Sequence, residues 1–258
     1  MAHDDAAFLA RSPNRVAVLG ALAEEPMTRR ELRAETGASR VTVGRVTTDL
    51  ERRDWVRRTG QRYRATAAGR AVVTAFERLL DTTATTRRLA PLFEHLPLDA
   101  FDFEVTRLRD AEVVVPTPTA PARHVDRLAE LFRGAGEVWM VVHAMAPRAA
   151  AASYEAAAAG DHVTHGVVTP NVLDAIRETD EVCEQIRELL AEGAMRLHVR
   201  PAVPYQFGLY DETAALSADD DGVPEGIVVS TDAAVTEWTR ERYDALRGDA
   251  TPVAPEDL

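Results

Sequence analysis

The sequence predicts an α+β winged helix-turn-helix in its first part and an α/β domain in its second. Three observations predict this arrangement. Residues 28–64 hold two helix-start signals, a glycine turn between them and a basic hairpin behind them. From about residue 122, short apolar runs alternate with amphipathic helical stretches, the pattern of an α/β sandwich. Between the two, Leu96-Pro97-Leu98 and then Pro116, Pro118 and Pro121 interrupt the helical patterning. The expected organisation is a winged domain with a trailing helix over 1–95, a linker over 96–121 and an α/β domain over 122–258.

Taken in order, Ser12 and Pro13 read as an N-cap and a first helical position, and Val16, Leu19 and Leu22 form the apolar stripe of a supporting helix. Thr28 and Glu31 have the spacing of a capping box, and Met27 with Leu32 that of a hydrophobic staple. Gly37 stands where a helix end favours a left-handed residue, and Ser39 supplies the next N-cap. In the second helix Val43, Val46 and Leu50, with Thr47 beside them, face inward. That leaves Ser39, Arg40, Thr42 and Arg45 near the helix N-terminus to meet phosphate oxygens and base edges in a major groove. Trp55-Val56-Arg57-Arg58 and Arg62-Tyr63-Arg64-Ala65 flank a turn at Thr59-Gly60-Gln61 and form the wing. Its candidate DNA contacts are Arg57, Arg58, Arg62 and Arg64, of which alternation lets only a subset face the duplex.

Charge sharpens this reading. Residues 25–70 carry twelve arginines against six carboxylates, while the whole chain has a net charge of −12. A basic island in an acidic protein is the electrostatic footprint of nucleic-acid binding. All thirty basic residues are arginine and there are forty-two acids, a composition resembling that of halophilic archaeal proteins. In molar salt the Debye length shrinks to about 3 Å, so DNA affinity must lean on close base contacts and on dimerisation.

Ser39-Arg40-Val41-Thr42-Val43-Gly44-Arg45, followed by Leu50-Glu51-Arg52-Arg53-Asp54-Trp55-Val56, resembles the recognition helix and first wing strand of archaeal winged-helix transcriptional regulators. The run Tyr63-Arg64-Ala65-Thr66-Ala67-Ala68-Gly69 is similar to the end of their wing and the start of the next helix. Here that helix, capped by Thr66, carries Val72, Val73, Phe76, Leu79 and Leu80 and runs toward Leu92. In related regulators such a helix pairs with its twin, so the resemblance implies a homodimer reading a palindromic operator.

In the second half, apolar or alternating runs at 137–142, 162–168, 195–200, 206–210 and 226–230 are expected strands, with Ala111 to Val115 as an edge strand or linker. Helices are expected around Val125 to Phe132, in the alanine-rich stretch that follows 142, from Asn171 to Leu190 and from Ala233 to Leu246. Thr169-Pro170, Phe207-Gly208-Leu209-Tyr210-Asp211 and Ser230-Thr231-Asp232 with Glu237-Trp238 resemble the effector domain of TrmB-family and methanogenesis-type regulators, whose core is phospholipase-D-like. Phospholipase D chemistry needs a histidine with a lysine two residues on and a downstream aspartate, in two copies. Only His198-Val199-Arg200 approximates this, with Tyr205 where the aspartate should stand, so the domain is expected to be catalytically degenerate and the protein not an enzyme.

Small molecules bind beyond the carboxyl ends of strands in open α/β sheets. That rule selects His143, Thr169, Asn171, Arg200, Ser230 and Thr231 as effector contacts, with Arg200 as the anion clamp. No glycine-rich phosphate loop or zinc-spaced cluster occurs, so no metal or cofactor is expected. The lone Cys183 excludes an internal disulfide, and the absence of a signal peptide or apolar span points to the cytoplasm. Two functions compete: a transcription regulator whose DNA binding responds to a sugar, sugar phosphate or organic acid, or an architectural or partner-gated DNA protein whose second domain is only a dimerisation scaffold.

Overall fold

The computed structural model describes residues 2–144, 147–159, 162–220 and 223–258, and the chain divides into units at 1–83 and 84–258. In the first unit, α1 (Ala2–Ala10) and α2 (Pro13–Glu24) lead to a short strand β1 (Met27–Thr28), then α3 (Arg29–Thr36) and α4 (Arg40–Glu51). The hairpin β2 (Val56–Thr59) and β3 (Arg62–Ala65) follows, and α5 (Ala67–Leu89) begins behind it. The wing sheet has the order β1-β3-β2.

Local signals explain most of these boundaries. The capping box is complete: Thr28 N donates to Glu31 Oε2 at 2.7 Å and Glu31 N to Thr28 Oγ1 at 3.3 Å. Gly37 closes α3 in the left-handed region, φ 68°, and donates its N–H to Arg33 O. Leu19, Leu22, Leu32, Val43, Val46 and Leu50 then share one buried cluster with Tyr63 and Val73. Each such side chain contributes about 1.5–3 kcal/mol when fully buried. Thr66 joins wing to helix, since its hydroxyl donates to Asp54 O and accepts from Gly69 N. Gly69 is required there, because a Cβ would lie 2.0 Å from the Trp55 carbonyl oxygen.

Two elements of this unit had no local signal. α1 is fixed by tertiary contacts: Phe8 sits edge-on to Trp55, and Arg15 and Arg53 cover its ring at 4.1 and 3.7 Å. β1 exists because Met27 and Thr28 pair with Tyr63 and Arg62, making the wing three-stranded. Ser12 stands at the N-cap of α2 but its side chain makes no capping bond, so Pro13 alone marks that start. On α5, Val73 is buried while Leu79 and Leu80 are 57% and 47% exposed. The helix stops at Leu89, short of the Leu92 expected from its pattern.

The second unit is built on an eight-stranded mixed sheet. Its elements are β4 (Glu112–Val114), α6 (Arg123–Gly134), β5 (Glu137–Val142), α7 (Pro147–Ala158), β6 (Val163–Val168), α8 (Pro170–Arg177), α9 (Asp180–Glu192) and β7 (Met195–Val199), then β8 (Phe207–Tyr210), β9 (Thr213–Asp220), β10 (Val223–Ser230), α10 (Ala233–Gly248) and β11 (Thr251–Val253). The sheet order is β11-β7-β6-β5-β8-β9-β10-β4. Among the described residues the parallel pairings are those of β5, β6 and β7; β11 lies antiparallel on β7, β8 turns back against β5, and β9, β10 and β4 continue antiparallel.

Several boundaries correct the sequence reading. The 96–121 stretch is not a linker: Leu96, Leu108 and Ala111 pack with Val228, Trp238 and Tyr243, and β4 pairs with β10 at the sheet edge. Its prolines punctuate short turns rather than free chain. Phe101 and Phe103 stack and both meet Trp238 edge-on, while Trp238 Nε1 donates to Ala100 O. The helix expected over 171–190 is two, α8 and α9, separated at Thr179. β9 and β11 were not anticipated; β9 is a buried strand of small residues with weak intrinsic strand preference, held by its neighbours on both sides.

Candidate nucleic-acid interface and strand-end site

α4 begins where Ser39 Oγ accepts from Thr42 N at 3.1 Å, with the two hydroxyls 2.9 Å apart. Both side chains predicted for DNA contact thus also hold the helix start. Arg40 and Arg45 are exposed. Beside them Val41 is 81% exposed, a residue missed by the sequence reading although it falls out of step with the buried Val43, Val46 and Leu50. An exposed valine on such a helix suits the methyl group of thymine.

In the wing, the register Arg57↔Arg64, Arg58↔Tyr63 and Thr59↔Arg62 puts Arg57, Arg62 and Arg64 on one face. Arg58 lies on the Tyr63 face, its guanidinium 5.6 Å from that ring and its Nε donating to Gly60 O. Arg62 is exposed but tied back to the protein, donating to Pro26 O at 2.7 Å and to Glu31 Oε1 at 3.2 Å. The Glu31 carboxyl is held below its ordinary range, first by the Thr28 backbone N–H it accepts from. Arg57 and Arg64 stand directly opposite each other and, like Arg40 and Arg45, pair with no carboxylate among the described residues. Like charges directly opposed across a sheet are destabilising unless something neutralises them.

Sheet direction decides the fate of the six effector candidates. Arg200 N donates to Val168 O and Thr169 N to Val142 O, so His143, Thr169 and Arg200 share the edge where β5, β6 and β7 end. Asn171 follows there, exposed in the first turn of α8. Ser230 and Thr231 do not join them. Ser230 pairs with Ala214, and the next strand pairings place Thr213 opposite Tyr210 and Tyr210 opposite Val138, at the far end of β5. The expected convergence assumed that β10 runs with β5, and it runs against it. Ser230 instead accepts from Asp232 N, and Asp232 caps α10.

Arg200 is also engaged. It donates to Ala202 O at 2.7 Å and lies 3.9 Å from Asp249. Thr169 stands at the N-cap of α8 with its buried hydroxyl unpartnered among the described residues.

The same edge holds groups that sequence reasoning missed. Gln206 Oε1 accepts from His143 N and Ala144 N, while its Nε2 donates to Asp219 at 3.3 Å. His143 Nε2 is 3.4 Å from Asp219 Oδ2. Burial raises the Asp219 carboxyl above its ordinary range, and Gln206 and His143 oppose that shift. No motif marks this cluster, because Asp219 lies on the unanticipated β9. Among the described residues, no group of three or more His, Cys, Asp or Glu could hold a metal ion, and no helix is long and apolar enough to cross a membrane.

Behind this edge, between the sheet and its α6–α9 face, lies a cavity of about 90 Å³. Its walls are mostly apolar, including Leu128, Phe132, Met140, Val168 and Leu197. α7 leaves the space open because three of the residues it contributes to the wall are small, Ala149, Ala150 and Ser153.

Comparison with known proteins follows the same division. Residues 3–88 match the HVO_A0261 N-terminal domain, and residues 121–249 match the middle domain of the methanogenesis regulatory protein FilR1. No curated protein matches the sequence. Among solved structures, TrmBL2, an archaeal chromatin protein, is 18% identical, with 97% of this chain and 99% of that one covered and a TM-score of 0.46. Nuc of Salmonella typhimurium, a phospholipase D family member, is 12% identical over 56% of this chain and 99% of its own, TM-score 0.42. NucT of Helicobacter pylori is 11% identical over 55% and 98%, TM-score 0.40. Half of the chain is matched by the FilR1 middle-domain family, and the chain belongs to that family, with a winged helix-turn-helix unit ahead of the α/β unit.

Proposed function

We propose that this protein is a DNA-binding transcription regulator that works without catalysis, with a first unit that contacts double-stranded DNA and a second that binds a small effector. The observation that carries the reading is the pair Arg57 and Arg64, opposed on the wing without a carboxylate while other arginines of the unit are engaged internally. A phosphate backbone is the partner that relieves such a pair. Arg45, Arg40 and Val41 of α4 are the base-reading set, Ser39 and Thr42 contribute hydroxyls, and Arg58 lies at the wing turn.

The protein acts as a homodimer on a palindromic operator. Leu79 and Leu80, exposed on α5, support pairing of that helix with its copy. The acid-rich, lysine-free composition supports work in concentrated salt in the cytoplasm. An effector in the second unit changes DNA occupancy only by binding one dimer geometry better than another. Four of the residues chosen from sequence, His143, Thr169, Asn171 and Arg200, are the candidates for that role. Selection of bound duplexes from a random pool, followed by fluorescence anisotropy on the enriched sequence, tests the reading. A palindromic consensus bound by a dimer is expected; recovery of no consensus, with binding indifferent to sequence, would favour an architectural protein.

A further inference from the structure

Two residues that line this cavity in the second unit each bury a polar atom with no hydrogen-bond partner among the described residues. These atoms are the Tyr154 hydroxyl and His124 Nδ1. Burying such groups unpaired is costly, and proteins rarely tolerate it without a reason. A plain packing defect would be lined by carbon alone and stay dry. By the measure in which one water needs about 10–15 Å³, a space of about 90 Å³ takes a molecule the size of a single ring. Among the described residues the cavity lining includes no arginine, aspartate or glutamate, so an ionic ligand would lose its hydration without a countercharge from them.

We infer that this cavity is a binding site for a small, uncharged, mainly apolar molecule of about one aromatic ring, carrying a hydroxyl that meets Tyr154 and His124. A hydroxyl both donates and accepts, so it satisfies the phenol and either tautomer of the imidazole. The site deepens the proposed function by giving the effector a chemistry, and that chemistry differs from the anion or sugar suggested by the strand-end residues. Ser153 and Gln206 also line the space, and Gln206 ties it to the His143 and Asp219 cluster at the sheet edge.

The test uses the full chain and three probes, 4-methylphenol, toluene and benzoate, titrated by calorimetry. Saturable binding of 4-methylphenol is expected, toluene binding roughly three- to tenfold more weakly for want of the hydroxyl, and benzoate not binding. Tyr154→Phe should bring 4-methylphenol to the level of toluene and leave toluene unchanged. Ala150→Leu, which extends a cavity-lining side chain into the space, should abolish both. Absence of saturable 4-methylphenol binding to the folded wild type would overturn the inference, as would undiminished binding to a folded Ala150→Leu variant. Benzoate binding as tightly as 4-methylphenol would overturn the uncharged class, and equal affinity for toluene would overturn the role of the hydroxyl. Anisotropy on operator DNA without any probe keeps the two readings apart: lost DNA binding sinks the proposed function alone, lost 4-methylphenol binding the cavity alone.

Discussion

The two units leave opposite things unsatisfied. In the first, the starts of α3, α4 and α5 are capped, the aromatic–arginine contacts around Phe8 are closed, and guanidiniums stand on the outside without a carboxylate among the described residues. In the second, the unpaired groups are inside: Thr85, His124, Tyr154, Thr169, His198 and Tyr243 each bury a polar atom without a partner among the described residues, against Arg15 Nε alone in the first. A satisfied frame with bare external charge suits a rigid polyanion. A frame with internal vacancies in its hydrogen bonding is cheaper to rearrange around an enclosed ligand, because the ligand supplies bonds the empty state lacks.

The largest expected effect falls on the closed frame. Gly69→Ala drives a Cβ into the Trp55 carbonyl, and because the obstacle is backbone the loss should reach about 3 kcal/mol or more. Calorimetry should show the transition of the first unit lowered and that of the second unchanged. Equal loss in both would break the division drawn here. Next is Arg45→Ala, which should cost about 1–3 kcal/mol at one operator position and relax the preference there. An unchanged preference would remove Arg45 from base reading.

Ala150→Leu acts on the vacancy of the second unit. At about 24 cal/mol per Å³, an empty space of this size costs about 2 kcal/mol, so filling it should raise stability by about 1–2 kcal/mol. Denaturant unfolding measures this, and a destabilised variant would mean that the space is already occupied or too narrow. The smallest effect is on pH. His124, His165 and His198 all lie in the second unit with pKa values lowered from 6.5, burial being the first cause in each. The unfolded chain takes up these protons near 6.5 while the folded chain does so only at lower pH, so stability is full above about 6.5 and falls as pH drops toward the lowered values. Asp219, raised above 3.8 by burial, acts with the opposite sign and returns part of that loss at lower pH. Thermal scans at descending pH should therefore lower the transition of the second unit, and His198→Gln should flatten the slope.

Legibility in the sequence followed the same divide. The capping box, Gly37, Ser39 and the stripe of α4 are signals within a few residues, and each stands where the sequence puts it. α1 and β1 escaped because Phe8 and Met27 owe their places to Trp55 and Tyr63, far along the chain. In the second unit strands β5 to β8 and β10 were recognisable as runs, but their directions were not. Strand order is a property of the assembled sheet, and the antiparallel course of β10 alone separates Ser230 from His143. Tyr154 and His124 carried no signal at all, since a missing hydrogen bond can be seen only once every neighbour is placed.

The central claim, that bare guanidiniums of the wing meet DNA phosphates, is tested most directly by the salt dependence of operator binding. For the wild type, the logarithm of affinity should fall linearly with the logarithm of salt concentration. With two such wings on a dimer, removing Arg57 and Arg64 together should flatten the slope by about 3 to 4, at about 0.9 for each phosphate no longer neutralised, whereas Arg62→Ala, whose guanidinium is held by Pro26 and Glu31, should change it far less. A double variant that keeps the slope of the wild type would contradict the claim.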